Sequence, residues 1–247
     1  VLARSSFIGI IAIGATFVIT SGGLDLSVGS MAAVIAGVMI MVMNWLIPTF
    51  GIGWGVILAG MAAGILLGGV AGIGNGLMIT RGRIEAFIVT LGTMGIFRSL
   101  VTFLADGGTL SLNFQVADVY RPVYYDGLLG IPYPILVFAL VAIAGEIVMR
   151  RTSFGRHCAA IGSNEQVARY SSINVDNVRL ITYILQGILV AVAVLLYVPR
   201  LGSASSTTGV LWELEAIAAV IIGGTTLKGG YGRVWGTVVG VLILGLV

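Results

Sequence analysis

The chain has 247 residues, a formal net charge of +3, 58% hydrophobic residues and only 9% charged residues, with a mean hydropathy of +1.09. A soluble domain carries about 25% charged residues, so no solvated surface can be built from this composition, which excludes a soluble enzyme, a nucleic-acid-binding domain and a disordered chain. Residues 26–80 contain no Asp, Glu, Lys or Arg, although one membrane crossing needs only about 20 apolar residues. The apolar runs are continuous and do not alternate, which argues against an outer-membrane barrel. The chain reads as all-α, a polytopic transmembrane helical bundle forming a single membrane domain over residues 1–247.

Gaps between charges mark the crossings in chain order. They fall at residues 5–20, 27–43, 54–79, 86–105, 134–149 and 180–198, with a shorter apolar piece at 214–227 that either spans or re-enters, and a last run beginning at Val234. The intervals are a Gly22-Gly23 break, a turn at 44–53 containing Pro48, the pair Arg81 and Arg83, a polar stretch at 106–133 and a charged loop at 152–178. That makes about eight helices. Val1 is not a Met and Val247 falls inside an apolar run, so helices are expected beyond both ends. Nine bases (Arg81, Arg83, Arg150, Arg151, Arg156, Arg169, Arg179, Lys228, Arg233) fall on one side and four (Arg4, Arg98, Arg121, Arg200) on the other, which places the nine in the cytoplasm and explains a pI of about 9.2 without invoking nucleic acid.

The segment Gly22-Gly23-Leu24-Asp25-Leu26-Ser27-Val28-Gly29-Ser30 releases the chain from helical geometry at two glycines, after which Asp25 or Ser27 can cap the next helix and an acid gains from its dipole. It reads either as a plain capped start or as a broken helix lining a pathway. Gly223-Gly224-Thr225-Thr226-Leu227-Lys228-Gly229-Gly230 echoes it as G-G-x-x-L-x-x-G, either by chance or as the paired break of an internal repeat. In the 152–178 loop, Ser163 and Gln166 form a capping-box pattern that predicts a short helix over 164–171, a structured loop or a docking element, with Asp176 capping the next crossing. Gly155 and Gly162 are expected to permit tight turns before that helix.

Among the remaining polar residues, Arg98 is expected to snorkel toward Asp106 and Glu146 to pair with Arg150 four residues on. Asn44, Asn75, Thr90, Thr93 and Gln186 either bond between helices or face a substrate. One His and one Cys leave no expected metal site or disulfide and make a membrane enzyme unlikely on composition. The only lysine, Lys228, is followed by Gly229, so the phosphate-binding pattern G-x-x-x-x-G-K-[ST] is absent. If ATP drives this protein, another subunit hydrolyses it.

The wording at 22–30, the run Phe-Gly-Arg-His-Cys-Ala-Ala-Ile-Gly-Ser-Asn-Glu-Gln-Val-Ala-Arg-Tyr-Ser-Ser-Ile-Asn-Val at 154–175 and Gly-Gly-Thr-Thr-Leu-Lys-Gly-Gly-Tyr-Gly at 223–232 together resemble the ribose-type permeases of sugar-importing ABC transporters. The likeness covers nearly the whole chain, with Ser163 and Ser172 where that family often has Gly and an unusual His157-Cys158 pair. It implies about ten membrane helices in a bacterial inner-membrane permease, paired with a second permease copy or paralogue and held in membrane lipid. An extracytoplasmic sugar-binding protein delivers a monosaccharide, and a cytoplasmic ABC ATPase subunit holds the ATP and Mg; no cofactor belongs to this chain. The resemblance assigns the ATPase-coupling loop to Gly155, Arg156, Gly162, Asn164, Glu165, Val167, Ala168, Arg169 and Tyr170, with Val167, Ala168 and Tyr170 docking and Glu165 and Arg169 at a polar rim. The pathway and broken helix fall to Gly22, Gly23, Asp25, Ser27, Gly29, Gly223 and Gly224. The alternatives are a branched-chain amino acid or nucleoside permease and a proton-coupled carrier, for which only Asp25 and Glu146 offer titratable groups.

Overall fold

The structure, a computed structural model, describes residues 2–246. Helix α1 (Leu2–Thr20) leads through an extended stretch into α2 (Val28–Phe50), followed by α3 (Trp54–Thr80) and α4 (Ala86–Leu104). The polar stretch then forms β1 (Thr109–Ser111), α5 (Phe114–Tyr120), α6 (Pro122–Tyr125) and a small hairpin of β2 (Gly127–Leu128) with β3 (Ile131–Pro132). Helix α7 (Tyr133–Arg151) returns to two short helices, α8 (Ser153–Ser163) and α9 (Glu165–Tyr170). The chain closes with α10 (Val175–Leu201), β4 (Ser203–Ser205), α11 (Trp212–Ile222) and α12 (Val234–Leu246).

Helices α1, α2, α3, α4, α7 and α10, of 19–27 residues, are long and apolar enough to cross a bilayer; at about 1.5 Å per residue each approaches or exceeds the roughly 30 Å hydrocarbon thickness. The chain is a multi-pass helical membrane protein. Helices α1, α2 and α10 form the buried centre, whereas α4 lies at the periphery with most of its surface open.

Packing in a bilayer rests on close approach of backbones, and α3 is built for it. Gly60, Gly64, Gly68, Gly72 and Gly76 recur every fourth residue and are all buried. The first two meet α2: a Cβ on Gly64 would lie 2.7 Å from Met39 Sδ. The last three meet α10, where a Cβ on Gly72 would fall on the Tyr183 carbonyl and one on Gly68 on the Gly187 carbonyl. Gly187 reciprocates, its own Cβ position being taken by the Gly68 carbonyl.

The helix ends gather at two poles. At one, Asn44 Nδ2 donates to the Ser111 carbonyl at 2.9 Å and Asn44 Oδ1 accepts from the Asn113 N–H at 2.9 Å. There β1 pairs antiparallel with β4, and the buried Tyr120 hydroxyl donates to the Leu195 carbonyl at 2.7 Å. At the other pole Gly230 N–H donates to the Thr20 carbonyl at 2.9 Å, and Arg179 Nε to the Ser21 carbonyl at 3.4 Å. Chain alternation brings the α3–α4 turn with Arg81 and Arg83, and the α7 end with Arg150 and Arg151, to this second pole.

Several boundaries differ from the sequence expectation. Helix α2 continues past Met43 to Phe50 with Pro48 inside it; Asn44, expected in a turn, sits on the helix and uses its side chain on residues 111 and 113. The loop at 152–178 is mostly helical, and α10 starts at Val175, five residues before the apolar run, because its first turn is polar. The piece at 214–227 is corrected most. Only Trp212–Ile222 is helical, about 16 Å long, too short to cross alone. The chain traverses this layer as strand β4, a run of hydrogen-bonded turns over 206–211 and then a half-length helix.

The glycine column yields a prediction. Gly72→Ala should destabilise the solubilised protein by about 1–3 kcal/mol, because its methyl meets backbone that cannot retreat. Gly74→Ala, with no atom within 4 Å of the added Cβ, should be neutral or stabilising by up to about 1 kcal/mol. Thermal unfolding of both variants in detergent checks this; equal effects would refute it.

Candidate functional site

The short helices of the second pole are built from polar caps. Thr152 Oγ1 accepts from the Gly155 N–H at 3.4 Å to start α8, and Asn164 Oδ1 accepts from the Val167 N–H at 3.1 Å to start α9. The cap of α9 is therefore Asn164 and not Ser163, which is the last residue of α8. Likewise Asn174 Oδ1 accepts from the Asn177 N–H at 3.1 Å to cap α10, and Asp176, the expected cap, is engaged elsewhere. Arg169 Nη2 contacts Glu165 Oε1 at 2.9 Å and Asp176 Oδ1 at 2.8 Å, and Arg179 Nη1 contacts Glu165 Oε2 at 2.8 Å. Partial burial works to raise the Glu165 carboxyl, but its bonds to Arg169 and Arg179 outweigh that and hold it below the ordinary value of 4.5.

This ring changes the expected docking surface. Ala168 is 2% exposed, packed into the protein's own core, whereas Val167 is 56% and Tyr170 86% exposed. Ala168 is thus an anchor of α9 and not part of a surface offered to a partner, because side chains one residue apart on a helix point to different faces. Arg156 is exposed and donates to Ser153 Oγ at 3.0 Å within its own turn. Cys158 is buried, and burial pushes its thiol up to about 12, so it is an inert packing residue.

Gly155 and Gly162 are not turn residues. Both lie within α8, where a Cβ on Gly155 would strike the Met149 carbonyl and one on Gly162 the Thr20 carbonyl and the Gly230 nitrogen. Gly162 is thus the contact point of three elements: α8, the end of α1, and the loop before α12. A Cβ on Gly229 would lie 2.9 Å from the Gly22 nitrogen and 3.0 Å from Gly162 Cα. The two glycine motifs that echo each other in sequence meet here, against α8. Each follows a helix end by two residues with a left-handed glycine, Gly22 (φ 79°) after α1 and Gly224 (φ 86°) after α11, so the conformational equivalence is offset by one residue from the sequence echo. Gly223 packs instead against the Gly236 backbone.

Between Gly22 and α2 the chain is irregular, with Asp25 and Ser27 buried. Asp25 Oδ1 accepts from the Ser27 N–H at 2.8 Å and from Ser27 Oγ at 2.6 Å, and Asn75 Nδ2 donates to Ser27 Oγ at 2.9 Å. Gly23 leaves room for Tyr183, whose hydroxyl donates to the Leu24 carbonyl at 3.1 Å. Neither Asp25 nor Ser27 caps α2: the Ser27 hydroxyl is committed to Asp25, and Asp25 closes a local turn. Tyr183 stands eight residues along α10 from Val175, about 12 Å in, so the broken helix opens inside the membrane layer. Gly29, in the first turn of α2, lies against Gly209 of the turn segment 206–211.

Arg98 does not snorkel to Asp106. Its Nη1 donates to the carbonyls of Ser206 and Thr208, both at 2.6 Å, and pins the turns that follow β4. Glu213 faces the same place, its Oε2 occupying the Cβ position of Gly29. The apolar piece begins one residue later, at Leu214, and so excludes Glu213, whose spacing two residues before Glu215 carries no signal. Of the other polar residues, Gln186 Nε2 donates to the Ile11 carbonyl at 3.4 Å, Thr90 and Thr93 bond within their own helix, and Glu146 pairs with Arg150 at 3.0 Å while accepting from the Trp235 N–H at 3.3 Å at the start of α12.

The ion-pair ring makes α9 acid-sensitive. A depressed carboxyl stabilises the fold above its unfolded value near 4.5 and loses that contribution as pH falls through the lower folded value. Amide exchange in α9 should therefore stay slow at neutral pH and quicken only below about 4.5, whereas Glu165→Gln should show the quick exchange at all pH values. A pH-independent wild type would refute the ring as the source of α9 order.

The chain was compared with known proteins. The family described as "Branched-chain amino acid transport system / permease component" matches residues 1–247. The chain is 38% identical over 246 residues to the ribose import permease protein of Haemophilus influenzae, covering 99% of this chain and 74% of that protein, and 37% identical at the same coverage to that of Escherichia coli K12. It is 33% identical to the xylose transport system permease protein of Haemophilus influenzae, covering 98% of this chain and 78% of that protein. No solved structure matches the chain. A full-length family match and relatives this similar along nearly the whole chain agree with the broken helices and small-residue packing, and the chain belongs to the branched-chain amino acid transport system permease family.

Proposed function

We propose that the chain is the membrane-spanning subunit of an ATP-driven ABC importer in a bacterial inner membrane, moving a monosaccharide delivered by an extracytoplasmic binding protein. The observation that carries the substrate class is the 37–39% identity to ribose import permeases over 96–99% of the chain. The chain is a non-catalytic subunit in this reading, since its single lysine cannot complete a phosphate-binding loop. ATP and Mg then reside on a separate cytoplasmic ATPase, and a second permease subunit completes the transport unit.

Helix α9 is the element offered to that ATPase. It carries exposed Val167 and Tyr170 on a base fixed by Ala168 and by three ion pairs. The preceding helix touches both glycine breaks through Gly162. A push on α9 therefore reaches the pathway through backbone contacts, without a soft side chain between. At the opposite pole, the β2–β3 hairpin with Leu128 and Leu129 exposed is the surface offered to the binding protein.

A branched-chain amino acid substrate is the second reading, favoured by the family description. Uptake by the full-length protein with its co-purifying subunits in proteoliposomes separates the two: ATP-dependent accumulation of ribose or xylose is expected and leucine accumulation is not. In the same assay Tyr170→Asp should reduce ATPase retention and uptake at least tenfold with thermal stability unchanged. Ala168→Asp should instead lower stability by several kcal/mol, since it buries an unpaired charge. Normal uptake by Tyr170→Asp would move the docking surface elsewhere.

A further inference from the structure

Five buried side-chain polar atoms lack a hydrogen-bond partner among the described residues: Asp25 Oδ2, Asn75 Oδ1, Gln186 Oε1, Glu213 Oε2 and Thr225 Oγ1. Buried polar atoms in native proteins nearly always find a partner, so orphans mark places where something else binds. Three of the five surround a single turn. Asp25 and Asn75 both bond to Ser27, the residue before α2, and Glu213 reaches Gly29, two residues later. Asp25 is 6% and Asn75 1% exposed. All three orphans are hydrogen-bond acceptors.

The same turn also has unmet donors. Helix α2 has no side-chain cap, and no hydrogen bond to the N–H groups of Val28, Gly29 or Ser30 occurs among the described residues. The ligand must therefore both donate, to two carboxylates and an amide carbonyl, and accept, from a helix N-terminus. A metal cation cannot accept, and a fully deprotonated anion cannot donate. The positive end of α2 lies beside Asp25 and Glu213. Hydroxyl groups satisfy both demands at once.

We propose that the first turn of α2, with Asp25, Asn75 and Glu213, is an occluded binding site for a neutral polyhydroxylated ligand. This rests on the sugar-import reading above and assigns that substrate a place in the chain. The turn segment 206–211 closes the site: Gly209 lies against Gly29 with no room for a side chain on either, and Arg98 holds the segment by the Ser206 and Thr208 carbonyls. Loading and release therefore require this segment to lift from α2.

The test compares D-ribose with 2-deoxy-D-ribose, which lacks one hydroxyl, in proteoliposomes of the assembled transporter and by tryptophan emission of the permease alone, where Trp212 adjoins Glu213. The wild type should prefer ribose. Asn75→Ala and Glu213→Gln should each weaken ribose about tenfold, the loss expected for one hydrogen bond to a buried acceptor, and should at least one of them erase the preference over the deoxy sugar. Glu213→Asp, which only draws the carboxylate back, serves if either variant fails to fold. Equal loss for both sugars, an unchanged ribose affinity, or an emission response to Na+ in place of sugar overturns the proposal. Ribose uptake by the wild type alongside any of those results leaves the import reading standing, whereas a wild type that takes up neither ribose nor xylose removes that reading itself.

Discussion

Backbone touching backbone is the constraint on which this structure depends. Lipid tails are as apolar as leucine, so burying an apolar face against another helix gains little, and helices adhere where small residues let the main chains approach. Helix α3 meets this demand with glycine at every fourth position from Gly60 to Gly76, and α10 answers with Gly187. The same device recurs where Gly162 abuts Thr20 and Gly230. A glycine contact cannot repack by changing a rotamer, so elements joined this way move together.

That stiffness bears on the short helices α8 and α9. A helix of six residues has no stability of its own, and α9 exists because Asn164 caps it, Ala168 anchors it and the Glu165, Arg169, Asp176 and Arg179 charges lock it to the start of α10. The residues that secure α9 are inward or mutually paired. What remains outward-facing is the pair Val167 and Tyr170, and α8 links their helix to both helix breaks through Gly162.

The breaks concentrate polar groups in the part of the chain where such groups are most expensive. A chain in lipid must satisfy its own main-chain hydrogen bonds, yet residues 21–27 and 202–211 are non-helical inside the bundle. Side chains make up part of the deficit: Tyr183 donates to the Leu24 carbonyl, Asp25 accepts from the Ser27 N–H, and Arg98 donates to two carbonyls. Irregular backbone at this depth is tolerated where it is buried in protein or lines a cavity.

Composition and the spacing of charges by themselves determined that this is an all-α membrane protein, because hydrocarbon admits only long uncharged segments and those are visible one residue at a time. They also located the six long crossings, the glycine breaks and the α9 segment. Caps were legible in kind but not in place: Asn164 and Asn174 act where Ser163 and Asp176 were expected, since neighbouring polar residues have similar capping propensity and tertiary ion pairs decide which is free. Only the tertiary structure decided that Ala168 faces inward, that Arg98 reaches across about 110 residues of chain to the 203–211 segment, and that Asp25, Asn75 and Glu213 converge on one turn. These are contacts between residues far apart in sequence, and periodicity within a segment carries no information about which other segment its face will meet.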